Sequence, residues 1–139
     1  MDNDTRSKIM KSVKSVSKLE DLVASALWNK GYRFRRNTKK LFGTPDISIK
    51  KYKVVIFIDS CFWHFCPEHG RIPKVNNDYW QAKYIKNTTR DKKVNDFYQE
   101  RGWNIIRIWE HELKEDFDLT ISKLAKFIDR AMKEEKIEG

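Results

Sequence analysis

A chain of 139 residues and 16.7 kDa has room for one domain, which should bury roughly two-thirds of its unfolded surface and leaves no space for separate cofactor and substrate domains. With 40% hydrophobic and 13% aromatic residues, and only five Gly and three Pro, it is neither collagen-like nor low-complexity. The net charge of +9 lies entirely in Met1–Lys53, which holds 14 basic and 5 acidic residues, while the remainder is near neutral.

A basic third on a neutral body is the footprint of a protein that binds a polyanion, with a duplex phosphate backbone the commonest partner. A membrane surface fits less well. The segment Thr5–Val16 offers only Ile9, Met10, Val13 and Val16, with no Trp, Phe or Leu to insert into lipid. The longest apolar run, Val54–Ile58, is five residues against the roughly 20 that span a bilayer. No signal-peptide pattern opens the chain, so a cytoplasmic protein is expected.

Ser17-Lys-Leu-Glu20 reads as a capping box, and Leu19, Leu22, Val23, Ala26 and Leu27 follow at helical spacing until Gly31 closes the helix. Tyr32–Arg36 alternates as a strand would, and Pro45–Ile49 alternates again after a Gly-Thr-Pro turn. Val54–Asp59 is apolar on both faces and predicts a central strand. An irregular Cys/His segment, Cys61–Pro73, leads to a helix capped by Asn76 or Asn77 that runs to about Arg101, with Asn87-Thr88-Thr89 a candidate interruption. Trp103–Trp109 predicts a fourth strand. A polar stretch, Glu110–Asp118, then precedes an amphipathic helix carrying Ile121, Leu124, Ala125, Ile128, Ala131 and Met132. The expected architecture is a single α/β domain over 1–139, of order α-β-β-β-α-β-α, with residues 1–16 as a basic leading segment.

Both cysteines and all three histidines lie between Cys61 and His111, and Cys61, His64, Cys66 and His69 fall within nine residues. Structural zinc takes four thiolate or imidazole ligands in pairs separated by a few residues. Cys61, Cys66 and His69 with the distant His111 form the preferred set, since His111 would tie the loop to the strand ending at Trp109. That choice leaves His64 over for other work. Asp46 opens one strand and Asp59 ends its neighbour 13 residues later, so both carboxylates can meet at one sheet edge. A hard cation such as Mg²⁺ binds one or two carboxylates with backbone carbonyls and waters; Asp after Pro is also an ordinary turn residue.

Trp80, Lys83, Asn87 and Asp91, spaced three, four and four apart, share a helical stripe offering a ring, a cation, an amide able to read a base edge and a carboxylate. Phe62 and Trp63, inside the Cys/His segment, suit wedging between base steps. Trp80 taken alone fits a core ring as readily.

Gly43-Thr-Pro-Asp46, Val55–His64 with its Cys-Phe-Trp-His run, Tyr79–Asn87 with Arg90-Asp91, Gly102-Trp103 and Trp109-Glu110 together resemble the very short patch repair (Vsr) mismatch endonucleases. The opening Thr5–Met10 fits as well, so the likeness covers about Thr5 to Leu113. The resemblance implies a restriction-endonuclease-like core, a central mixed four-stranded sheet flanked by helices, and a structural zinc. It also implies Mg²⁺-dependent nicking of one strand of duplex DNA beside a T·G mismatch. Asp46 would bind Mg²⁺ with the backbone carbonyl of Ile58, His64 would orient or deprotonate water, and Glu20 and Asp91 would hold waters or orient histidine. Glu20 thereby has two readings, cap and catalyst.

On the same resemblance, Phe62, Trp63 and Trp80 would intercalate, and Lys83 and Asn87 would read the mismatched pair in the major groove. The segment with Arg6, Lys8 and Met10 would cross the minor groove. Where the best-known members carry a second active-site histidine, this chain has Asp59, a candidate direct metal ligand. Nicking of one strand needs only one active site, so a monomer is expected, in a prokaryotic cytoplasm and nucleoid-associated, with mismatch-repair proteins as conceivable partners. Two other readings use the same charge and motifs. One is a restriction-type endonuclease acting on paired DNA, the other a zinc-stabilised DNA-binding module without catalysis.

Overall fold

The computed structural model describes residues 17–61 and 74–138. A helix over 17–29 (α1) leads to strands β1 (Arg35–Arg36), β2 (Ile47–Ile49) and β3 (Val54–Asp59). Helix α2 (Asn77–Glu100), strand β4 (Asn104–Trp109) and helices α3 (Glu110–Glu115) and α4 (Phe117–Glu138) complete the order. The sheet runs β1-β2-β3-β4. The first three strands pair antiparallel, and β4 pairs parallel with β3 after the α2 crossover, so the expected mixed four-stranded sheet with flanking helices is observed.

Strand β3 is buried at all six positions, as its unbroken apolar run requires of a strand with neighbours on both sides. Period-two alternation then sorts its side chains. Val54, Ile56 and Ile58 join Val23 and Leu27 of α1, Ile47 and Ile49 of β2, Ile108, Leu113, and Ile121, Leu124, Ile128 and Ala131 of α4 in the main core. Val55 and Phe57 pack with Val94 and Tyr98 of α2 on the opposite face. Each Ile or Val so enclosed contributes about 1.5–3 kcal/mol. The two apolar layers hold α1 and α4 on one side of the sheet and α2 on the other.

Four local expectations are corrected. Ser17 is helical, and Glu20, the far member of the predicted box, is hydrogen-bonded to Asp46 and not to the backbone of Ser17. Helix α2 runs unbroken through Asn87–Thr89, because tertiary burial of Tyr84, Val94 and Tyr98 outweighs weak local propensity, and the Thr88 hydroxyl is accommodated by donating to the Tyr84 carbonyl at 2.9 Å. The polar stretch after β4, expected only to precede the last helix, holds a helix of its own: α3 begins at Glu110, where the Trp109 N–H donates to Glu112 Oε2 at 2.9 Å. Strand β1 is shorter than predicted, since only Arg35 and Arg36 find partners, in Ser48 and Ile47.

Candidate active site

The carboxyl ends of β3 and β4, with the amino end of β2 beside them, open on a cleft of about 710 Å³, lined by residues of α1, the β1–β2 loop, β3, α2 and β4. Asp46 stands where the chain enters β2. The loop leading to it is closed by the Asn37 N–H on the Asp46 carbonyl at 3.1 Å and turns through Gly43 at φ +75° and Thr44 at φ +50°. A Cβ on Gly43 would lie 2.9 Å from Val94 Cγ2, so both conformation and proximity to α2 require glycine there. The Asp46 side chain is aimed by β3: its Oδ2 accepts the Ile58 N–H at 2.7 Å.

Glu20 approaches from α1. Burial, then the charge of Asp46 and a hydrogen bond with it, push the Glu20 carboxyl from 4.5 up to about 8, against the lesser opposing pull of Arg36. Two carboxyl groups are thus forced together in one polar cleft, and the pair is far easier to ionise fully if a cation joins it. Asp91 of α2 lines the same space, as do Lys83, Asn87 and Arg90, with Arg90 Nη2 donating to Asn87 Oδ1 at 3.1 Å.

Asp59 also lines the cleft, as its strand-end position predicted, but both of its oxygens accept from Arg107 Nη1, at 3.0 and 3.1 Å. It is 4% exposed. Arg107 went unremarked in the sequence, although a signal exists: it is a single basic residue between Ile106 and Ile108 in a strand that should be apolar. Trp80, expected to intercalate, is 2% exposed, edge-on to Tyr79 and tilted against Tyr84, so its ring belongs to the interior of this structure. Lys83 Nζ sits 5.9 Å from the Tyr79 and Trp80 ring centroids alike.

Cys61 and His111, two of the expected zinc ligands, are adjacent: Sγ lies 3.3 Å from Nδ1. The Glu110 carboxylate accepts the Cys61 N–H at 3.0 Å and pins the turn beyond β3 against α3. Among the described residues no cluster of three or more metal-ligating side chains occurs. Arg6, Lys8, Met10, Phe62, Trp63, His64, Cys66 and His69 lie outside the described residues. No described helix is long and apolar enough to cross a membrane.

A mixed α/β sheet with flanking helices, carboxyls from two strand ends and two helices lining one cleft, and a strongly basic chain together describe the class of this protein. Sequence comparison gives this class its family. The profile of DNA mismatch endonuclease Vsr matches residues 1–68. The chain is 43% identical over 108 residues to the type II nicking enzyme V.NaeI of Lentzea aerocolonigenes, covering 74% of this chain and 65% of that enzyme. It is 43% identical over 127 residues to the type II nicking enzyme V.HpaIIP of Haemophilus parainfluenzae, covering 86% and 90% respectively. With DNA mismatch endonuclease Vsr of Escherichia coli strain K12 it shares 33% identity over 132 residues, covering 92% and 83%. The chain belongs to the Vsr family and is a strand-nicking DNA endonuclease.

Proposed function

We propose that the cleft holding Glu20, Asp46 and Asp91 is the active site, and that the enzyme nicks one strand of duplex DNA beside a T·G mismatch with Mg²⁺ as cofactor. The observation that carries this reading is the Glu20–Asp46 pair, two hydrogen-bonded carboxyls in one cleft, where burial and then the charge of Asp46 push the Glu20 carboxyl up to about 8. Their hard oxygen donors suit a divalent cation of the magnesium type. Asp46 and the Ile58 carbonyl would hold it with Glu20 beside them, and the bound cation would supply polarisation of a phosphoryl oxygen and acidification of water.

The protein's own groups do the rest. The Ile58 N–H fixes the Asp46 carboxylate in one orientation, so little reorganisation accompanies binding. His64 accepts a proton from the attacking water. The water oxygen bonds to phosphorus as the P–O3′ bond breaks in line, and the departing oxygen takes up a proton, leaving a 5′-phosphate and a 3′-hydroxyl. Lys83 and Asn87, on the cleft wall, present a cation and an amide to the base edges. Phe62 and Trp63 wedge the duplex, and the basic leading segment with Arg6, Lys8 and Met10 follows the backbone.

Cys61 and His111 support a structural zinc completed by Cys66 and His69. Their 3.3 Å separation is near the roughly 3.6 Å that tetrahedral angles and zinc–sulfur and zinc–nitrogen bonds of about 2.3 and 2.1 Å give. A DNA-binding module without catalysis accounts for neither the carboxyl pair nor the family.

The test is a strand-resolved cleavage assay on T·G-mismatched and fully paired duplexes, with Mg²⁺ or EDTA, comparing wild type with Asp46→Ala and His64→Ala. Mg²⁺-dependent nicking of the T strand, lost in both variants, is the expected result. Equal cutting of paired DNA would overturn the mismatch requirement in favour of restriction-type cleavage, and retained cutting by Asp46→Ala would overturn the site.

A further inference from the structure

Arg107 is a cation of the cleft wall held from several sides. It lies opposite Phe57 in the β3–β4 register, and its guanidinium carbon sits 4.4 Å from the Phe57 ring centroid. Its Nε donates to Asn95 Oδ1 of α2 at 2.6 Å. Its Nη1 donates to both Asp59 oxygens and lies 3.8 Å from Asp91 Oδ1. Three elements, β3, β4 and α2, therefore hold one planar group. Among the described residues Nη2 makes no hydrogen bond, and no buried side-chain nitrogen there lacks a partner, so Nη2 is not sealed from solvent, and Arg107 lines the cleft.

We propose that Arg107 is a catalytic residue of the nicking reaction, its Nη2 donating a hydrogen bond to a non-bridging oxygen of the scissile phosphate. This rests on the reading of the cleft as the active site. Stability alone does not account for the Arg107–Asp59 pair. A buried ion pair gains little over two apolar side chains of similar volume, and both neighbours of Arg107 in β4 are isoleucine. A function at the cleft does account for it. Arginine stays protonated at every working pH, and here its rotamers are already fixed by ring stacking and three polar anchors, so a donor stands ready where negative charge develops on phosphorus.

Asp59 and Asp91 together outweigh the single charge of Arg107. Its contribution is therefore a directed hydrogen bond, while Lys83 and Arg90 on the same wall provide the positive field. A lysine cannot reach Asn95, Asp59 and a phosphate at once from this backbone position, because it lacks the planar fork.

Single-turnover nicking at saturating enzyme, on whichever duplex the wild type nicks fastest, is measured for Arg107→Lys, the double variant Asp59→Asn/Arg107→Met and Asp46→Asn, alongside DNA affinity and thermal unfolding. Both Arg107 variants should lose roughly 10²–10³ in rate with DNA affinity within about twofold of wild type. The double variant, which removes both charges of the Arg107–Asp59 pair, should unfold near the wild-type temperature. Nicking by Arg107→Lys within about threefold of wild type, or recovery of the wild-type rate in the double variant, would overturn the proposal and leave Arg107 as a positioning residue for Asp59. Wild-type nicking by Asp46→Asn would overturn the active-site reading itself, a failure distinct from that of Arg107.

Discussion

The Asp46 carboxylate is hydrogen-bonded to the main chain of Ile58, two strands joined by a 2.7 Å contact from a backbone N–H to Oδ2. An asparagine at position 46 can keep an oxygen on that N–H while losing the charge. Asp46→Asn is therefore expected to fold with a near-wild-type unfolding temperature and to lose roughly a hundredfold or more in nicking rate. Single-turnover kinetics beside a thermal melt check the two halves separately.

Glu20 makes stability depend on pH. Its folded-state value of about 8 exceeds the 4.5 of the unfolded chain, so the folded protein binds the proton more tightly. The stabilisation is fully present below pH 4.5 and is lost as pH rises toward 8 and beyond. Without added divalent cation, the unfolding temperature of wild type should fall relative to Glu20→Gln across that window and level off above it. Added Mg²⁺ should narrow the gap at the alkaline end. A gap that stays constant from acid to alkaline pH would contradict the carboxyl pairing.

Cys61 and His111 tie the turn after β3 to helix α3. His111→Ala should lower the zinc content of the purified protein below one equivalent and lower its unfolding temperature, since binding to the folded state alone is folding free energy. Elemental analysis and calorimetry read the two effects. Full zinc occupancy in the variant would remove His111 from the ligand set.

Gly43 sits at φ +75° with its Cα turned against Val94. Gly43→Ala places a methyl group 2.9 Å from Val94 Cγ2 and forces an unfavourable backbone conformation, and should cost about 1–3 kcal/mol. Because the same loop delivers Asp46, the nicking rate should fall along with stability. Val94→Ala in the Gly43→Ala background should recover part of the loss by relieving the contact.

The β3 run Val54–Asp59 could be read directly because no charge interrupts it before Asp59 and a strand so apolar must be enclosed on both faces. Gly31 and Gly102, both at positive φ, likewise ended their helices where expected. Local chemistry misled where a longer-range partner won. Ser17 and Glu20 have the spacing of a capping box, but that spacing is common to any pair on one helical turn, and Glu20 turns instead to Asp46, 26 positions away in the chain. Thr88 and Thr89 have weak helix propensity, yet α2 continues through them because its flanking rings are buried against the sheet.

The amino-acid sequence by itself determined the α/β class, the order of the strands along the chain, the basic leading third and, through its Thr-Pro-Asp and Cys-Phe-Trp-His motifs, the nuclease family. These are properties of hydrophobic period, charge and short spacing, which act along the chain. Only the tertiary structure decided that Trp80 is interior, that Glu20 is hydrogen-bonded to Asp46, and that Arg107 clasps Asp59 beside Asp91. Those outcomes depend on which side chains the sheet and α2 bring within a few ångströms, and on the loss of water there, which turns modest charge interactions into strong ones.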